Sequence, residues 1–202
     1  MTSTVSTVIK VVLLIAIVGL SYFLYEIIQE PIRYENIKEK RYTLTKERLE
    51  QIRDVQKVYR SEYNQFAKDF NTLIAFVDTG KQSIVERKDS SFKWIDPKFL
   101  VETMKDTIII RVIGFRSVKE NLFGADFDSN KLRYIPLTDK QEFEMDAGRI
   151  KVNDIEVTVF EARAPNTKIF ADILDEYDQF IDKDYALIVG SMTEPTLNGN
   201  WK

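Results

Sequence analysis

Two residue types that carry much of protein chemistry are missing from this chain of 202 residues, which has no cysteine and no histidine. The absence of cysteine excludes disulfides, thiol nucleophiles, iron–sulfur clusters and thiolate zinc sites. The absence of histidine removes the commonest general base and the commonest transition-metal ligand. The seven glycines are scattered singly, so there is no glycine-rich phosphate-binding loop. We therefore expect no enzyme, no cofactor and no small-molecule substrate, with a carboxylate-based enzyme as a remote alternative.

An excess of positive charge is also missing, since the formal net charge is −3. A nucleic-acid binder is expected to show a basic stripe, and we find none, so no nucleic-acid partner is expected. Only one long apolar run occurs, which argues against a transporter with many spans.

That single run lies near the N-terminus. Residues 11–25 carry no charge, and residues 11–28 form a helix roughly 27 Å long at ~1.5 Å per residue, close to the thickness of a bilayer core. Lys10 and Glu26 are placed to snorkel at its two ends. The residues that we expect to anchor the protein in the membrane are Val11, Leu14, Ile17, Leu20, Leu24 and Ile28.

Two other interpretations of the run are a cleaved signal peptide and a buried helix of a soluble core. A signal peptide needs a basic start and a small-residue cleavage site, and Gly19-Leu20-Ser21 is a poor one. Buried helices rarely run this long and this apolar. We therefore expect an uncleaved single span within an anchor of residues 1–30.

Residues 31–80 are predicted to form an amphipathic helical extension. Pro31 should kink or end the membrane helix, and Thr45 is a plausible N-cap for the helix that follows. Apolar residues then recur at steps of three and four up to residue 77, which is typical of a helical stripe. A turn-prone stretch at 61–64 allows a break, and Gly80 should cap the end.

Four aromatic residues of this stripe are candidates for partner binding: Tyr59, Tyr63, Phe66 and Phe70. One hypothesis is that they pack into the core of the following domain. The other is that they form a surface that assembles copies or partners side by side. The two are compatible if opposite sides of the helix are used.

Residues 81–202 are predicted to form the folded domain. Residues 81–91 are polar and charged and should be a linker or a long loop. Asp96-Pro97 should open a short helix that runs through Met104. The β-branched run 107–112 predicts a strand buried on both faces. A short strand is expected at 132–135.

The rest of the domain shows hairpin and helix signals. Residues 143–160 alternate around Asn153-Asp154, which predicts a hairpin. Asn166 or Thr167 should cap an amphipathic helix whose stripe reaches Ile181, and a last strand should cover 185–189 before a tight turn at 198–199. Hairpin strands with separate helices predict an α+β fold with a mainly antiparallel sheet.

Two acidic groups suggest cation binding. Asp126, Asp128 and Asn130 have the first spacings of a calcium loop, but Lys131 replaces the required glycine and Leu137 the bidentate glutamate. A hydrogen-bonded turn is therefore the favoured interpretation, with these residues as weak metal candidates. Six further carboxylates crowd residues 172–184, where a solvated face competes with a bound cation or a basic partner.

The order of these parts resembles pilins and pseudopilins of bacterial secretion and pilus systems. Val55-Gln56, Tyr59, Tyr63-Asn64-Gln65-Phe66 and Leu73 are similar to the stretch where such proteins pass from long helix to domain. The chain departs from the family because no prepilin-peptidase site precedes the span and no glutamate opens it. Residues 159–162 and 189–201 are similar to single-span envelope proteins of Bacteroidetes.

The resemblance implies a single-pass protein of a bacterial inner membrane with its domain in the periplasm. The Lys/Arg count points the other way, because the cations follow the span. Our leading hypothesis is a non-enzymatic assembly subunit of an envelope machine for secretion, motility or pili, whose partners are other subunits or copies of itself. The alternative is a membrane-tethered ligand- or cation-binding domain.

Overall fold

A single long helix forms the axis of the structure, a computed structural model that describes residues 2–95 and 102–201. Helix α1 spans Thr2–Tyr63 without interruption, 62 residues in all, and includes Pro31 in its interior. The predictions that Pro31 ends the helix and that a new helix begins with a cap at Thr45 are therefore wrong. The residues on both sides of the proline are held by one segment, since Gln179 donates to Glu30 and Tyr177 packs on Tyr34.

The chain leaves α1 through a short turn and enters helix α2, Phe70–Thr79. Asn64 adopts φ 55°, which ends α1 and confirms the expected break. Asp69 caps the start of α2 by accepting the Thr72 amide at 2.8 Å. The predicted cap at Gly80 is also confirmed, because its amide donates to the carbonyl of Phe76 at 2.7 Å.

A long two-stranded hairpin follows. Strand β1, Lys81–Ile95, pairs antiparallel with β2, Glu102–Ser117, with a register shift between Ile84 and Val85. The linker predicted at 81–91 is thus a strand. The proposed helix opening at Asp96-Pro97 falls mainly on residues 96–101, outside the described part of the chain, and residues 102–104 belong to β2.

A second antiparallel sheet closes the body of the domain. Strands β3, Glu144–Val152, β4, Ile155–Pro165, and β5, Ala186–Gly190, are arranged in that order. Asn153 and Asp154 at the β3–β4 turn have φ of 48° and 62°, as a two-residue hairpin turn requires. This hairpin, the last strand and the α+β class with antiparallel sheets are confirmed.

Short helical turns connect these elements. They are α3, Val118–Leu122, a 3-10 turn at Ser129–Leu132, and α4, Asn166–Ile169. The strand predicted at 132–135 is wrong, since this stretch holds the end of the 3-10 turn and one isolated bridge from Tyr134 to Glu142.

The long helix predicted from 166 to 181 is wrong as well, because α4 ends at Ile169 and a series of turns follows. In the predicted helix the carboxylates of residues 172–184 would lie near the C-terminus, where they oppose the helix dipole. In the structure the side chain of Asn166 donates to the carbonyl of Asp182 at 2.8 Å and closes this segment into a loop.

The core lies where the second half of α1 meets α2, the three-stranded sheet and the 166–181 segment. Leu49, Ile52 and Val55 of α1 are fully buried in it. Phe160 of β4 and Phe170 are fully buried in the same core. The predicted extension, residues 31–80, therefore shares one core with the domain.

Candidate functional site

The apolar half of α1 is uncovered. The described residues 7–28 contact solvent on all sides, and none of the most apolar stretch is buried by the domain. Leu14, for example, is 64 % exposed. By length and composition this helix can cross a membrane. The six predicted anchor residues all lie on this exposed stretch.

The other half of α1 is locked to the domain by a charged pair. Both terminal nitrogens of Arg41 donate to the carboxylate of Asp172, at 2.6 and 2.7 Å, and Nη1 also donates to the carbonyl of Ile169 at 2.6 Å. The Arg41 hydrogen bonds hold the pKa of Asp172 below its ordinary value. One acidic residue of the 172–184 cluster therefore has its basic partner within the same chain, and Lys183 pairs with Asp178 in the same way.

Aromatic rings strengthen this junction between helix and domain. Tyr34 lies among Phe170, Tyr177 and Phe180, with ring centroids 5.6–5.8 Å apart. The Tyr42 hydroxyl donates to Asn166 at 2.8 Å, and burial raises the pKa of this tyrosine to about 12. Together these contacts fix how the exposed half of α1 is oriented to the body.

A shallow cleft lies beside the junction. It encloses about 310 Å³ and is lined by Tyr34, Lys38, Tyr42, Asn166, Phe180, Asp182 and Tyr185. The Lys38 ammonium lies 5.8 Å from the centre of the Tyr34 ring and 6.0 Å from that of Tyr42. The cleft combines aromatic faces with one cation and one carboxylate.

The four aromatic candidates for partner binding divide into two groups. Tyr59, Phe66 and Phe70 are buried, and Phe66 packs on Phe160 with ring centroids 4.8 Å apart. Tyr63 is 55 % exposed although it contacts the rings of Tyr59 and Phe76. Only Tyr63 offers a ring to a partner in this arrangement.

The calcium-like sequence forms a capped turn. Asp128 accepts the Asn130 amide at 3.1 Å and starts the 3-10 turn. Neighbouring Ser129 donates to Asp78 at 2.6 Å, which ties this turn to α2. Within residues 2–95 and 102–201, no group of three or more acidic side chains is arranged to hold a metal ion.

The hairpin is a surface that sequence reasoning missed. The prediction that the run 107–112 is buried on both faces is wrong, because Ile108, Ile109, Ile110 and Val112 are all exposed. The sequence signal was the isoleucine run itself, which cannot distinguish a buried central strand from an apolar edge strand.

The hairpin joins the body at its root. The Ser83 amide and hydroxyl both donate to the Glu62 carboxylate at 2.9 Å. Asn121 of α3 donates to Gln82 and accepts from Arg116, both at 2.9 Å. The root is therefore fixed at the end of α1 that is far from the candidate span.

Comparison with known proteins gives no relatives, since no family model, no curated protein and no solved structure matches the chain.

Proposed function

We propose that this protein is a non-enzymatic structural subunit of a bacterial envelope machine of the secretion, motility or pilus type. In this proposal it is a single-pass inner-membrane protein with its domain in the periplasm. One observation carries the proposal, namely that a single continuous helix is both candidate span and core element of the domain. Such a helix transmits position and force between membrane and domain without a flexible linker.

The junction contacts support a mechanical role. A tethered binding module needs only a flexible linker between anchor and domain. Here the Arg41–Asp172 pair, the Tyr34 ring cluster and the Tyr42–Asn166 hydrogen bond all fix the helix to the body. This rigidity suits a subunit that must hold its domain at a set distance from the bilayer.

Membrane anchoring is tested first. The full chain should stay in the membrane pellet after alkaline carbonate extraction. Replacing Leu14 and Ile17 together with Arg should release it, because each charge at the centre of a span costs about 2.5–3.5 kcal/mol. The matched control is Leu137→Arg, which adds the same charge at an exposed apolar residue of the body and should not change extraction. Release of the unmodified chain would contradict the proposal.

Orientation and partners are tested next. Because the chain has no cysteine, a Tyr63→Cys variant carries a single thiol on an exposed position. A membrane-impermeant thiol reagent should label it in cells whose outer membrane alone is permeabilised. Labelling only after lysis would place the domain in the cytoplasm, as the Lys/Arg count favours. Other envelope subunits, or further copies of the chain, should co-purify from native membranes.

The second candidate, a membrane-tethered ligand- or cation-binding domain, is favoured by the cleft that Tyr34, Lys38, Tyr42 and Tyr185 line. If the Asp182 carboxylate of this cleft takes part in binding a cation, millimolar Ca²⁺ should raise the melting temperature of the full chain. Asp182→Asn should abolish that shift, while Asp154→Asn on the exposed β3–β4 turn should keep it. An unchanged melting temperature would argue against cation binding.

A further inference from the structure

The two strands of the hairpin present different outer edges. The middle of β1 carries four charged residues in succession, Glu86, Arg87, Lys88 and Asp89, whereas residues 107–113 of β2 contain a single charge, Arg111. Charged side chains on an edge strand are a common protection against pairing with another strand. By this criterion β1 is protected and β2 is open.

The apolar side chains of β2 lie uncovered. Ile108, Ile110 and Ile113 are 59–61 % exposed, and among the described strands β2 pairs with β1 alone. A two-stranded hairpin is only marginally stable in water unless a further strand or a packed face supports it. A long, apolar and unprotected edge of this kind favours pairing with another strand.

We propose that β2 pairs antiparallel with β2 of a second copy of this chain, so that two hairpins form one four-stranded sheet. With Ile110 on the two-fold axis, Ile108 of each copy lies opposite Val112 of the other. Ile109 then lies opposite Arg111 of the other copy, and no two like charges face each other. Such an isologous contact closes as a dimer.

Of the surfaces that a second copy could place against this edge, its own β2 strand fits best. Outside the candidate span and the hairpin, the exposed large apolar residues of the described chain occur singly, as at Tyr63, Leu137 and Ile155. They offer no apolar strip that matches the isoleucines of β2. A β2 edge supplies both that strip and the complementary backbone hydrogen bonds.

Membrane anchoring adds to the pairing, and in this respect the inference rests on the proposed function. Two copies in one membrane present their hairpin roots at the same height, since α1 sets the distance from span to Glu62 in each. Confinement to the same membrane raises the effective concentration of one edge for the other. A contact too weak to hold a dimer in dilute solution can then still form.

Single cysteines in the otherwise cysteine-free full chain test the pairing in native membranes. Facing side chains of antiparallel strands have Cβ atoms about 4.5–5.5 Å apart, so a short bifunctional thiol reagent should join two Ile110→Cys chains. The matched control is Lys88→Cys on the protected strand β1, which should cross-link at least tenfold less. Equal cross-linking on both strands would indicate random collision and overturn the proposal.

An edge-blocking variant separates pairing from folding. Ile110→Lys places two like charges on the two-fold axis. Introduced into both chains, it should abolish cross-linking between an Ile108→Cys chain and a Val112→Cys chain, whose thiols face each other in this register. Ser90→Lys adds the same charge to β1 and should leave that cross-linking intact. Circular dichroism and melting of the body should match between the two variants. Undiminished cross-linking in the Ile110→Lys chain would overturn the pairing.

The remaining outcomes keep this inference distinct from the proposed function. A chain that stays anchored but gives no cross-linked dimer overturns the β2 pairing and leaves the structural-subunit proposal standing. Capture of a different protein at Ile110→Cys does the same.

The hairpin is more basic than the rest of the chain. Residues 81–117 hold eight Lys/Arg and five Asp/Glu in a chain of net charge −3. If the hairpin binds anionic vesicles and no dimer forms, its apolar edge contacts lipid rather than a second copy, and the pairing is overturned.

Discussion

Arg41 and Asp172 are 131 positions apart in sequence and meet in a two-pronged ion pair, with Nη1–Oδ1 at 2.6 Å and Nη2–Oδ2 at 2.7 Å. The arginine side chain is 10 % exposed and the aspartate side chain 45 %. Paired hydrogen bonds between a guanidinium and a carboxylate fix orientation as well as distance. The contact therefore sets the angle between the long helix and the segment that follows α4.

We expect Arg41→Ala to destabilise the protein by about 2–3 kcal/mol, because it removes the pair and leaves the Ile169 carbonyl without its donor. Asp172→Asn should cost less, about 1 kcal/mol, since its carboxylate is half exposed. The control is Lys57→Ala, which removes an exposed pair with Asp54 and should cost about 0.3–0.5 kcal/mol. Urea unfolding in detergent measures all three. Equal effects of Arg41→Ala and Lys57→Ala would show that the junction adds nothing.

The same pair predicts a dependence on pH. The Arg41 hydrogen bonds lower the pKa of Asp172 from 3.8, so the stabilisation is present above pH 3.8 and is lost as the pH falls through the lower folded value. The stability difference between the wild type and Asp172→Asn should be constant at neutral pH and shrink below about pH 4. Melting curves at several pH values measure it. A difference that stays constant down to pH 2 would rule out this linkage.

Gln56 closes the turn between α1 and α2 with two hydrogen bonds. Its Nε2 donates to the Ala67 carbonyl at 2.8 Å, and the Ala67 amide donates to its Oε1 at 2.9 Å. Gln56→Ala leaves two buried backbone groups without partners, so we expect a loss of about 2–4 kcal/mol. Gln65→Ala, exposed in the same turn, should cost less than about 0.5 kcal/mol. If the two variants melt alike, Gln56 is not what holds the turn.

The aromatic stripe should divide as its burial does. Phe66→Ala should cost about 3–5 kcal/mol, because it opens a cavity beside Phe160. Tyr63→Ala should cost about 1 kcal/mol or less, since the ring is largely exposed. If Tyr63 binds a neighbouring subunit, its replacement should weaken assembly more than folding. In vivo cross-linking through position 63, set beside the melting curve, separates these effects.

Thr45 offers a prediction of opposite sign. Its hydroxyl is fully buried in α1 and makes no hydrogen bond with any described residue. Thr45→Val replaces this hydroxyl by a methyl group of similar size, so we expect no loss and a gain of up to about 1 kcal/mol. Thr43→Val is the control, because it makes the same substitution at an exposed position whose hydroxyl does have a partner: it donates to the Glu39 carbonyl. A clear destabilisation by Thr45→Val would show that its hydroxyl has a partner.

Local signals along the sequence were sufficient wherever neighbouring residues decide the structure. The uncharged run from 11 to 25 predicts a long apolar helix by composition alone, and Asn153-Asp154 predicts a hairpin because both residues tolerate positive φ. Gly80 predicts the end of α2 for a similarly local reason. The α+β class followed from the order of these signals.

Tertiary contacts decided the rest. Pro31 does not end the helix because Glu30 and Tyr34, on either side of it, contact the distant residues 177–180. The helical stripe after Asn166 became a looped segment because Arg41 and Asp182 supply hydrogen-bond partners that a regular helix does not reach.

The isoleucines of β2 show that the sequence alone does not predict which apolar side chains are exposed. A run of β-branched residues determines that a strand forms, and only the three-dimensional arrangement decides what covers it. Because β1 is its one neighbour among the described strands, the apolar side chains predicted for the core lie in solvent instead. The sequence determined an α+β chain with one long apolar helix and an apolar strand, and the tertiary structure decided that this strand is an exposed edge.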